Sequence, residues 1–143
     1  MQSLIPALCD IGGESEATRK LYGVDREIRM IEAGVRFVEI TCSLTHNNNA
    51  PWDQHGELKL RHEENARITD QPVAALLIDL KARGLLDDTL VLWAGEMGRT
   101  PKANANWGRN HWSTLFPAVL AGGGVRGGMV YGQTDQDAAY AVD

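Results

Sequence analysis

The 143 residues contain two cysteines, Cys9 and Cys42. They lie far apart and match no zinc-ligand spacing, which leaves two buried thiols or one disulfide as the open readings. Long hydrophobic runs are missing as well. No segment approaches the roughly 20 apolar residues that cross a bilayer. The start, MQSLIPALCDIGG, has no basic stretch leading into a long apolar one, so it does not read as an export signal. A basic stripe is also lacking. The 14 Lys and Arg are scattered and outweighed by 19 Asp and Glu, a net charge of -5, which argues against nucleic acid as a partner. Neither a GxSxG elbow, a P-loop nor a dinucleotide fingerprint occurs. The GGG at 122–124 has no GxGxxG spacing and no following helix, so it reads as a turn. Internal repeats, low-complexity tracts and a domain-splitting linker are absent too.

What remains is an ordinary globular composition, 43% hydrophobic and 23% charged, of one-domain length. ESEATRKLY (14–22) is helix-prone, with Gly23 as its cap. Asp25 can cap REIRMIEA, which stops at Gly34. VRFVEI (35–40) is β-branched and aromatic and predicts a buried strand; the Asn-rich TCSLTHNNNAPW (41–52) after it predicts a loop. ELKLRHEENARI (57–68) is helix-prone. Asp70 then predicts a fresh cap for QPVAALLIDLKARG, with Pro72 in its first turn, Val73, Leu76, Leu77 and Leu80 on its apolar face, and Gly84 at its end. TLVLWA (89–94) and LFPAVLAGGG (115–124) predict two more buried strands, and GMVYG (128–132) a short hairpin partner. This alternation predicts an α/β fold with a mostly parallel sheet flanked by helices.

Parallel sheets collect ligands beyond the carboxyl ends of their strands. Two polar loops fall at such ends, and they hold most of the candidate chemistry. Asp53-Gln54-His55-Gly56 offers an oxygen and a nitrogen to one cation, a pairing suited to zinc, manganese or iron. An N-cap Asp beside a surface His is the plainer alternative. Glu96 stands just past a strand, as a ligand, a base or a solvated carboxylate. Arg99 can neutralise an anionic group or pair with Glu96. In GRNHW, Arg109 offers a planar fork to phosphate, sulfate or carboxylate, and His111 gains meaning only if it converges with Asp53 and His55. His62 sits in a charged helix and is expected to face water; His46 lies in the Asn-rich loop without a defining spacing.

DREIRMIEAGVRFVEI, WDQHG, LLIDLKARGLLDDTLVLWAGEMGRTPK, GRNHW and FPAVLAGGGVRGGMVYGQTD together closely resemble a bacterial family catalogued as domain of unknown function 1501 and labelled sulfatase-like. The resemblance spans nearly the whole chain. It implies that residues 1–143 are a single C-terminal portion of a larger, commonly exported protein with an alkaline-phosphatase-like fold. It further implies a metal-dependent hydrolase of sulfate or phosphate esters, acting on a small anionic ester through a divalent ion such as zinc, manganese, calcium or magnesium. Asp53, His55, His111 and Glu96 would hold the metal, and Glu96, Arg99 and Arg109 would serve catalysis. Met97 departs from the pattern, standing where that superfamily places a metal-binding His. The superfamily's nucleophile comes from a first strand with no equivalent in these residues; Thr41, Ser43 and Thr100 qualify by type alone. The alternatives are a non-catalytic binding or structural member of the fold and an inactive gene fragment.

Overall fold

The computed structural model of the chain describes residues 15–17, 27–40 and 52–142. Outside them lie Cys9, Cys42, Gly23, Asp25, Thr41, Ser43, His46, residues 41–51 of the Asn-rich loop, and the helix expected over 14–22 except residues 15–17. Helix α1 runs Glu27–Glu32. It ends where Gly34 predicts. The Gly34 N–H donates to the Ile31 carbonyl and the Val35 N–H to the Met30 carbonyl, both at 2.9 Å, the crossed pair of a Schellman turn.

Helix α2 runs unbroken from Leu58 to Ala82. The sequence predicts two helices here, split at Asp70; the structure has one, with Asp70 and Pro72 in its interior. Both halves are rich in strong helix formers and contain no Gly, so the only local obstacle is the missing Pro72 N–H and its ring, a cost of about 3 kcal/mol. The Thr69 hydroxyl donates back to the Asn65 carbonyl at 3.0 Å, a contact that bends helices. Burial offsets the proline. Ala75 and Leu80 are fully enclosed, packed by Ile31, Leu76, Leu85, Leu86 and Val91.

The end of α2 follows the sequence closely. Gly84 takes φ +70°. Its N–H donates to Lys81 at 3.1 Å and that of Leu85 to Leu80 at 2.9 Å, so the turn also delivers Leu85 to the core. Arg83 then ties the two helices, reaching Glu32 and Asp79, each at 2.9 Å. A Cβ on Gly84 would meet open space, leaving only the left-handed backbone to penalise it. Gly84→Ala is therefore expected to lower unfolding free energy by about 1–2 kcal/mol, and Gly84→Asn by less. Denaturant unfolding measures both.

Strands β1 (Leu90–Ala94), β2 (Gly98–Arg99), β3 (His111–Trp112) and β4 (Ala118–Gly122) form two sheets of two strands each, β1 with β4 and β2 with β3. Both are antiparallel, with Leu92 opposite Leu120 and Arg99 opposite His111. This overturns the expected parallel, alkaline-phosphatase-like α/β sheet: among the described residues no parallel pair and no sheet flanked on both faces by helices occurs. The reason lies in residues 95–117. Parallel strands need a crossover, usually helical. This connection contains no helix and doubles back through β2 and β3, so β4 returns alongside β1 as a hairpin arm.

Three further expectations fail. VRFVEI forms no strand and exposes Phe37 at 80%. GMVYG forms no strand, and Val130 and Tyr131 are almost fully exposed. β1 and β4 are not buried strands either. Val91, Trp93, Val119 and Ala121 line a groove with Val73 and Leu77 of α2. Only Val91 and Ala121 of these strand residues are part-buried there; Trp93 and Val119 remain exposed, as do Leu90, Leu92 and Leu120 of the alternate set. The GGG segment does form a turn, with the Gly123 N–H on the Leu86 carbonyl at 2.9 Å. Behind the second sheet, the Trp112 indole donates to the Ala139 carbonyl at 2.7 Å and its ring meets Tyr140 edge-on. That contact fixes β3 from the rear.

Candidate metal centre

The segment 95–112 has no regular periodicity, yet it is tightly built. Asn104 organises it. The Asn104 side-chain oxygen accepts the N–H groups of Asn106 at 2.9 Å and Gly108 at 3.0 Å, the Asx pattern that short amide side chains favour in turns. Its side-chain nitrogen donates to the His55 carbonyl at 3.1 Å. The loop thus clasps the segment before α2. The Arg109 N–H donates to Gln54 at 3.0 Å, Glu57 N–H to Asn106 at 3.2 Å, and Leu58 N–H to Trp107 at 2.9 Å. Gly108 is buried at the crossing, where a Cβ would overlap the backbone of His55 and Gly56. A Cβ on Gly98 would likewise overlap the Leu115 carbonyl.

This clasp brings three side chains together. One ligand atom each from Asp53, His55 and His111 lies within 4.8 Å of the others. His111 Nε2 is 2.8 Å and His55 Nε2 3.0 Å from the same Asp53 oxygen, Oδ1. The imidazole rings stand 5.2 Å apart at centroid. Two imidazole nitrogens and one carboxylate oxygen are the donor set of catalytic zinc sites that keep a position open, and they also suit manganese or iron. The residues therefore fit a divalent metal. All three side chains are a third to a half exposed, so water and small ions reach them.

Arg99 completes the electrostatics. Its Nη1 donates to Asp53 Oδ1, and its Nη2 to Glu96 Oε1 at 3.1 Å. The Arg99 hydrogen bond, then that of His111, hold the Asp53 carboxyl down from its ordinary 3.8 to about 2, against the opposing effect of burial. Folding lowers this pKa. Its stabilisation is therefore complete above the unfolded carboxyl's range, near 3.8, and is lost as pH falls through about 2. A carbon-13 carboxyl titration is expected to place Asp53 near the lower value and to move it toward 3.8 in Arg99→Ala; an unchanged midpoint would refute the pairing.

The remaining candidates are placed as follows. Glu96 is exposed, pairs with Arg99, and stands outside the three-residue cluster. Arg109 turns its Nη2 to the Pro101 carbonyl at 2.9 Å, pinning the loop that bears it. Met97 is half-buried. His62, expected to face water, is instead part-buried. It meets Trp52 edge-on at 5.5 Å and hydrogen-bonds the buried Gln54 side chain. Burial lowers its proton affinity below the usual 6.5. Sequence reasoning also passed over Asn104. Its only signal is an Asn placed two and four residues before the N–H groups that its side chain collects.

No curated protein and no solved structure matches the chain. The family described as "Protein of unknown function (DUF1501)" matches it over residues 1–143, and the chain belongs to that family.

Proposed function

We propose that the chain serves as a metal-dependent hydrolase of anionic esters, sulfate or phosphate, with its metal held by Asp53, His55 and His111. The observation that carries the reading is the meeting of their three ligand atoms within 4.8 Å in an open, solvated position. A divalent ion there would supply Lewis acidity and an activated water. The protein's own part is positioning and charge. Arg99 keeps Asp53 ionised and turns its second nitrogen toward exposed Glu96. An ester oxyanion can claim that nitrogen from Glu96, because a guanidinium fork matches such oxygens well. Glu96, so released, is a carboxylate able to take a proton. Arg99 suits the anion better than Arg109, whose guanidinium is turned to Pro101.

A second reading rests on a different observation. Asp53 Oδ1 already faces Arg99 and both imidazoles, so the cluster can satisfy itself as an ionic network in a non-catalytic binding or structural protein. Calorimetric titration with zinc, manganese, calcium and magnesium separates the two. Under the first reading one equivalent of a nitrogen-preferring ion binds, and hydrolysis of nitrophenyl sulfate or phosphate stops on chelation. Absence of binding by all four ions would establish the second.

A further inference from the structure

His55 is held at both ends by one loop. Its carbonyl accepts from Asn104 at 3.1 Å, and its ring Nδ1 lies 3.2 Å from the Asn110 side-chain oxygen. An amide oxygen can only accept, so this contact places a proton on Nδ1. The other nitrogen, Nε2, is the one that points at Asp53, 3.0 Å away. With Nδ1 committed to Asn110, Nε2 faces that carboxylate either as the second N–H of an imidazolium or, with its lone pair free, across a cation. Asn110 is itself immobilised. Its N–H donates to the Thr100 hydroxyl at 3.2 Å and its carbonyl accepts the Thr100 N–H at 2.9 Å. The next residue is His111, whose Nε2 meets Asp53 at 2.8 Å. One pinned dipeptide thus supplies a ligand and the group that orients another ligand.

We infer that Asn110 is a positioning residue for the metal centre: its side-chain oxygen holds the Nδ1 proton of His55 and so presents Nε2 to the ion. The inference rests on the metal-centre reading above and deepens it. Groups that hold the far N–H of a ligating imidazole typically contribute 10–100-fold to metal affinity. The role is specific in a testable way, because Asn110 acts only through the His55 ring. Its removal must cost nothing further once that ring is gone.

Cobalt(II), a visible probe for sites with imidazole ligands, tests this by titration of the full chain and of Asn110→Ala, His55→Ala and the double variant. The expected result is a dissociation constant raised about 10–100-fold in Asn110→Ala, with an altered visible band, and no additional loss when the same change is made in His55→Ala. Asn110→Asp, which keeps an acceptor, is expected to restore wild-type affinity or exceed it. If Asn110→Ala loses its native circular dichroism, Asn110→Ser removes the same carbonyl and takes its place in the cycle. Wild-type affinity in Asn110→Ala, or an equal loss in both backgrounds, overturns the inference while leaving the metal centre standing. Failure of the wild-type chain to bind cobalt overturns both.

Discussion

His111→Ala is expected to abolish stoichiometric metal binding while leaving the fold intact. His111 is the one ligand that comes from β3; the other two sit together before α2. Apparent binding energies of about 10–16 kcal/mol spread over four ligands in structural zinc sites suggest about 3 kcal/mol for each, or roughly a hundredfold in dissociation constant. The side chain is half exposed, and β3 pairs with β2 through backbone groups that the substitution keeps. Melting temperature should therefore barely move. Asp53→Asn makes the contrast. It removes a ligand and also strips Arg99 and both rings of their shared partner, so it should lose the metal and destabilise the protein as well. Calorimetric titration beside thermal unfolding reads both quantities. Wild-type zinc affinity in His111→Ala would remove the basis of the proposed site.

The convergence of Asp53, His55 and His111 is legible in the sequence where the sheet is not, and the reason is physical. The three residues that converge are chemistry-bearing types at the edges of regular segments, and the choice of Asp53, His55 and His111 as candidates needs only that two polar segments meet. The geometry of their meeting differs from the expected one. A parallel sheet would have brought two strand-end loops to one edge; in the structure the segment 53–57 leads into a helix and the loop 95–112 closes over it. Strand direction is not encoded in apolar runs. TLVLWA and LFPAVLAGGG read alike whether they pair parallel or antiparallel, and the deciding fact is the self-folding of residues 95–117. The glycine signals that end helices fare better than the Asp70 cap because they act within a few residues: Gly34 and Gly84 end their helices as predicted. Pro72 misled for the opposite reason. Its penalty is local, about 3 kcal/mol, whereas the burial of Ala75 and Leu80 that offsets it is tertiary.

Gly108→Ala is expected to match His111→Ala in loss of metal affinity although it removes no ligand. The added methyl would fall on the backbone of His55 and Gly56. Backbone cannot rotate away as a side chain can, so the loop and the segment before α2 must separate. Four hydrogen bonds to or from backbone cross that seam: Arg109 N–H to Gln54 at 3.0 Å, Glu57 N–H to Asn106 at 3.2 Å, Leu58 N–H to Trp107 at 2.9 Å, and the Asn104 amide to His55 at 3.1 Å. At about 0.5–1.5 kcal/mol each, their loss amounts to a few kcal/mol, large for one methyl group. The damage should stay local, because β1, β4 and the buried end of α2 share none of these contacts. Hydrogen exchange is expected to quicken across 53–57 and 104–110 and to stay unchanged at β1 and β4. Gly84→Ala is the control, a glycine whose replacement strains backbone and touches nothing; it should lower stability without altering metal affinity. If Gly108→Ala instead binds metal like the wild type, the ligands do not depend on the clasp, and the loop's Gly and Asn residues need another explanation.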